Sequence, residues 1–133
     1  MSKSTTKKIL WVLAILLIFA AGAAYSFLDR ALAEYESIVE EYESRPQMPI
    51  ELSYRSAMMG PGLVIELNNT STRYLTVIVT LINPTLNKKE NYRIDLSPNS
   101  TKEIGHAEGW AFASGDTIEI VHNEYKTLAQ KLP

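Results

Sequence analysis

Hydrophobic and polar positions follow successive patterns along this chain. Residues 9–28, ILWVLAILLIFAAGAAYSFL, form an uncharged run of 20 residues. Wound as a helix, such a run spans about 30 Å, the thickness of a bilayer's hydrocarbon core. The apolar positions then narrow to Leu28, Leu32, Tyr35, Val39 and Tyr42, spaced 4, 3, 4 and 3. That spacing is a heptad seam on a helix. Pro46 ends it, since proline disfavours helical backbone at the residue before it. Beyond Pro49 the period falls to two, as in half-buried strands. The expected spans are a basic stub over 1–8, a transmembrane helix over 9–28, a helical stalk over 29–45 and an all-β domain over 46–133.

Within the domain, IELSYR aligns Ile50, Leu52 and Tyr54, and LVIELNN aligns Leu63, Ile65 and Leu67. RYLTVIVTLIN is the longest expected strand. Leu75, Val77, Val79 and Leu81 share one face, and Tyr74, Ile78 and Ile82 the other. Apolar residues on both faces point to a central strand, or one covered by a neighbour. NYRIDLSP aligns Tyr92, Ile94 and Leu96, and STKEIG and TIEIV are shorter. Gly60-Pro61-Gly62, the polar NTST, and Pro84 with Asn87-Lys88-Lys89 supply turns. About seven short strands with frequent turns are the pattern of a β-sandwich.

The stretch GHAEGWAFASGDTIEI gathers His106, Glu108, Trp110, Asp116 and Glu119. As a metal centre it would use His106 and Glu108, with Asp116 or His122. A site needs three or four convergent ligands, and the chain has 2 histidines and no cysteine, so no metal or other cofactor is expected. Ser114 lacks a G-x-S-x-G elbow, and no catalytic residue is assigned. Strand logic accounts for more of the stretch. Trp110 and Phe112 alternate inward, Ser114-Gly115-Asp116 turns the chain, and Ile118 and Ile120 return inward as the second arm of a hairpin. Gly105 and Gly109 bracket a bend before it. The Trp110 indole N–H needs a partner, which a nearby carboxylate can supply.

Composition narrows the partners. Net charge is −2, while Lys3, Lys7 and Lys8 give the first eight residues +3, so the remainder carries −2 − 3 = −5. An acidic body has no attraction for phosphate backbones, and nucleic acid is not expected as a partner. Lysines before residues 9–28 and Asp29 after them place the N-terminus in the cytoplasm by the positive-inside rule. Ala21-Gly22-Ala23-Ala24 also fits a signal-peptide cleavage site. The apolar run passes beyond those residues, which favours an uncleaved anchor.

Other stretches leave two readings each. The seam residues Leu28, Leu32, Tyr35, Val39 and Tyr42 suit self-association, or a solitary or domain-packed amphipathic helix. Met58 and Met59 form an adaptable contact patch, or fold back onto the core. His106 and Glu108, on the approach to the expected hairpin, are a further candidate contact surface. Tyr125, Leu128 and Leu132 pack as a last extended or short helical segment, or await a partner. Asn68, Asn69 and Asn99 open N-x-Ser/Thr acceptor motifs.

LVIELNNTSTRYLTVIVTL followed by YRIDLSPNSTKEIG resembles the small immunoglobulin-like modules of bacterial membrane-anchored envelope proteins. A strand ends in Asn, a polar turn leads to a long Leu/Val strand, and a later strand ends in a Pro/Ser/Lys pedestal. The resemblance covers about residues 62–122. It implies an immunoglobulin-like sandwich that binds or assembles rather than catalyses. The expectation is a single-pass protein of the bacterial inner membrane with a periplasmic domain, anchored in lipid through 9–28. It would serve as an accessory subunit with protein partners in the envelope. A lipid- or glycan-binding module is the alternative, and a hydrolase using His106, Glu108 and Asp116 a remote one.

Overall fold

The structure, a computed structural model, describes residues 3–133. They fall into two units, a helix and a β domain from Arg45 to Pro133. Helix α1 runs unbroken over Lys3–Ser44, 42 residues. No proline interrupts it. Ser26 Oγ donates to the Ala23 carbonyl at 3.0 Å, so this hydroxyl is satisfied within the helix. Its apolar side chains are exposed: Trp11, Phe19 and Phe27 by 72%, 74% and 73%. The helix is long and apolar enough to cross a membrane.

The β domain contains β1 (Ile50–Ser56), β2 (Leu63–Asn69), β3 (Leu75–Asn83), β4 (Lys88–Leu96) and β5 (Thr101–Ile104). A 3-10 turn (His106–Glu108), β6 (Thr117–Val121) and β7 (Leu128–Lys131) complete it. The strands form two antiparallel sheets, one in the order β1-β2-β5 and one in the order β4-β3-β6-β7. Their inner faces share one core, with Leu67 from the first sheet and Val77, Val79, Leu81 and Ile120 from the second all fully buried. Burying each such side chain contributes about 1.5–3 kcal/mol. The arrangement is that of a β-sandwich.

Alternation accounts for which residues face inward on β2 and β3. β3 is central, between β4 and β6, as its composition suggests. Its outer face is covered only in part: Ile78 is 43% exposed and Tyr74, before the strand, 77%, whereas Thr80 is buried and Ile82 half-buried. β1 departs more, for Ile50 is buried while Tyr54, on the same face, is 45% exposed. Lys88 and Lys89 do not end a strand. They pair with Asn83 and Ile82 at the start of β4, and the turn is confined to residues 84–87.

The expected hairpin from Trp110 to Ile120 does not form. Phe112 makes an isolated bridge to Leu63, whose N–H donates to the Phe112 carbonyl at 3.1 Å. β6 instead pairs with β3 and β7. Residues 105–117 thus pass from the β5 sheet to the other sheet. Trp110, Phe112, Ile118 and Ile120 are nevertheless all in the core. Inward alternation is common to a hairpin and to a crossover, so the pattern could not separate them. Gly62 permits the close approach: its φ is +85°, and a Cβ there would lie 2.7 Å from the Phe112 carbonyl oxygen.

The residues after β2 are held by one side chain. Asn69 is fully buried. Its Nδ2 donates to the carbonyls of Arg73 (2.8 Å), Ser97 (3.1 Å) and Leu96 (3.3 Å), while its Oδ1 accepts from Ser71 N–H (3.0 Å) and Oγ (2.8 Å). The N-x-Ser motif at Asn69 is therefore a structural corner, its amide inaccessible to a glycosylating enzyme. The last segment is extended: β7 joins β6, Leu132 is buried, and Tyr125 and Leu128 pack on the core.

Candidate surface at the loop end of the sandwich

The β1–β2 connection and the 3-10 turn meet at one end of the domain. Ala57 N–H donates to the Gly62 carbonyl at 3.1 Å, closing the base of the loop. Met58 and Met59 stand at its tip, 89% and 87% exposed, rather than folding back onto the core. Gly60 has φ +83°, and a Cβ there would lie 2.4 Å from His106 Cδ2 and 2.9 Å from Cγ. Glycine thus lets the His106 ring lie against the loop backbone. The ring meets Gly60 through its carbon edge, so neither nitrogen is used in that contact.

Glu108 shapes the turn. Its Oε2 accepts from Gly105 N–H at 2.7 Å, and Glu108 N–H donates to the Gly105 carbonyl at 3.1 Å. Gly109, in the left-handed region at φ +97°, returns its N–H to the His106 carbonyl. His106 and Glu108 therefore lie on a 3-10 turn, not on a strand.

Met58, Met59, His106 and Glu108 line one hollow of about 220 Å³ with Arg55 and Glu103. The structure thus unites residues separated by nearly fifty positions. Arg55 and Glu103 were not singled out from the sequence. Glu66 and Glu103 face each other across β2 and β5, a repulsive register. Arg55 offsets it, with Nε 3.2 Å from Glu66 Oε1 and an Nη 2.9 Å from Glu103 Oε1. Its guanidinium pKa is raised, first through the Glu103 hydrogen bond. Outward alternation on β1 hinted at Arg55, but its carboxylates could be found only once strand pairing was known.

A second hollow of about 260 Å³ lies beside β4 and β5, lined by Tyr92, Ile94, Lys102 and Ile104 among others. The Tyr92 hydroxyl donates to Glu90 Oε2 at 2.5 Å, and Lys88 Nζ lies 2.9 Å from Glu90 Oε1. The bond to Glu90, then burial, pushes the Tyr92 phenol up to about 12. The same bond, then that to Lys88, lowers Glu90. Lys88 Nζ also sits 4.5 Å from the centroid of the Trp110 ring, a cation–π contact.

Asp116 is 1% exposed, and its Oδ2 accepts from Trp110 Nε1 and Ala113 N–H, each at 3.1 Å. His122 lies beyond β6, with Nδ1 accepting from Glu124 N–H and its ring 5.1 Å from Tyr125. Among the described residues no three His, Asp or Glu side chains converge. The Glu108 and Asp116 carboxylates are engaged in shaping the backbone rather than paired across a cleft. The seam residues Leu28, Leu32, Tyr35 and Val39 are exposed on α1, and Tyr42 is half-buried. Comparison with family models, with curated proteins and with solved structures found no match.

Proposed function

We propose that this chain is a membrane-anchored extracytoplasmic binding or assembly module, an accessory subunit of a bacterial envelope complex. The observation that carries the reading is α1. Its uncharged stretch over 9–28 is exposed throughout, and lipid is the environment that removes such a surface from water. Helix continuity through Ala21–Ala24 supports an uncleaved anchor. The lysines before it favour a cytoplasmic N-terminus and a periplasmic domain.

The strand order supports an immunoglobulin-like sandwich. The first, second and fifth strands share one sheet, and the third, sixth and seventh the other, which the fourth has joined. The Met58, Met59, His106 and Glu108 surface is the proposed contact face. The hollows of about 220 and 260 Å³ fall below the roughly 300–1,000 Å³ usual for small-molecule pockets. That size favours a protein surface over the lipid- or glycan-binding alternative.

Photocrosslinkers placed at Met58 and at Ala107 in the native membrane test this reading. A discrete adduct with one protein at both positions is the expected result. Adducts with lipid alone would reject it.

A further inference from the structure

The methionines and histidine of this surface have a chemical property beyond contact. We propose that Met58, Met59 and His106 form a site for a soft monovalent metal ion, Cu(I).

Thioether sulfur is a soft, uncharged ligand that selects Cu(I) over harder ions, and imidazole binds copper as well. Methionine is also an adaptable side chain, able to adjust around a ligand. Three such side chains line the same hollow. Their arrangement is not accidental to the fold. Gly60 holds the loop against the His106 ring, and its carbon-edge contact leaves both ring nitrogens available. The His106 ring has no hydrogen-bond partner among the described residues. Two adjacent thioethers nearly nine-tenths exposed are not committed to the core and are accessible to an ion from solution. Met48, by contrast, is buried.

Electrostatics do not oppose a cation here. Arg55 borders the hollow, but its charge is met by Glu66 and Glu103. No three His, Cys, Asp or Glu side chains converge among the described residues, so the ligand set here depends on the two thioethers beside His106. This site is independent of the protein-contact reading, since it needs only the domain itself.

The test uses the full chain in detergent, with Cu(I) supplied as its acetonitrile complex under argon against a chromogenic Cu(I) chelator. One Cu(I) per chain should be withdrawn from the chelator. Met58→Leu, Met59→Leu and His106→Gln should each weaken binding more than tenfold, since loss of even an outer-shell partner of a metal site costs about 10–100-fold. All three side chains are exposed, so the circular dichroism of each variant should match the parent. His122→Gln should bind as the parent does. Ag(I), a redox-inert probe, should shift the methyl carbon resonances of Met58 and Met59 but not that of Met48. The proposal is overturned by failure to compete with the chelator, by retained binding in the three variants, by loss in His122→Gln, or by Zn(II) binding as tightly as Cu(I).

Discussion

Trp110 and Asp116 are joined by a buried hydrogen bond, indole Nε1 to carboxylate Oδ2, at 3.1 Å. The same oxygen accepts from Ala113 N–H, and the Asp116 backbone closes the turn onto Ala113 and binds the Leu132 N–H at 2.8 Å. One residue thus secures the core tryptophan and the tight turn before β6 through its carboxylate, and the chain just after β7, at Leu132, through its backbone carbonyl. Its place in the interior is structural.

Asp116→Ala leaves the Trp110 and Ala113 donors without an acceptor. Each buried unsatisfied donor costs about 1–3 kcal/mol, so the domain should lose about 2–4 kcal/mol. Asp116→Asn retains one acceptor oxygen and should lose less. Urea denaturation followed by Trp110 fluorescence measures both, and an Ala variant as stable as the parent would contradict the assignment.

Asn69→Ala should be at least as damaging. It removes five hydrogen bonds made by a fully buried side chain. A loss of about 2–4 kcal/mol is expected, with Asn69→Asp also destabilising because a carboxylate cannot donate to those carbonyls. The same denaturation experiment reads it.

Leu32→Glu combined with Val39→Glu places charges on the exposed seam of α1. If chains associate through that seam, crosslinking in native membranes should give an oligomer with the parent and none with the double variant. Thermal unfolding of the β domain should be unchanged, because these positions lie outside it. Equal crosslinking in parent and variant would assign the seam no role in association.

Tyr92 should ionise late. Its phenol, held protonated mainly by the bond to Glu90, titrates at about 12. The ordinary tyrosine value is about 10. A raised folded-state value means its contribution to stability is fully present below the unfolded value and fades as pH rises from about 10 toward about 12. Glu90 works in the opposite sense. Its lowered value gives a contribution present above the unfolded carboxylate range and lost as pH falls through the folded value. Ultraviolet titration should show a late phenol for Tyr92, which Glu90→Gln brings back toward about 10.

Much of the architecture was legible in local pattern. The uncharged run and the seam marked a continuous helix, and α1 covers both. Alternation grouped Leu75, Val77, Val79 and Leu81 on one face and marked Trp110, Phe112, Ile118 and Ile120 as inward-facing, and all are buried. The need of the Trp110 indole for a carboxylate was also legible, because a buried N–H requires an acceptor and Asp116 lies six residues away.

Strand partnership was not. A residue that points inward does so whether its strand pairs with the next strand or crosses to the other sheet. So Trp110–Phe112 read as a hairpin arm, and only the fold joins Phe112 to Leu63. The same holds at the surface. Sequence marked Met58, Met59, His106 and Glu108 as separate polar or flexible features, and tertiary structure set them around one hollow with Arg55 and Glu103. The physical reason is range. Helix and strand periodicity arise from neighbouring residues, so the sequence by itself determined the elements and their inward faces. Register and crossover depend on contacts between segments distant along the chain. Only the folded core, by burying both sheets against each other, decided which strands pair and which side chains meet.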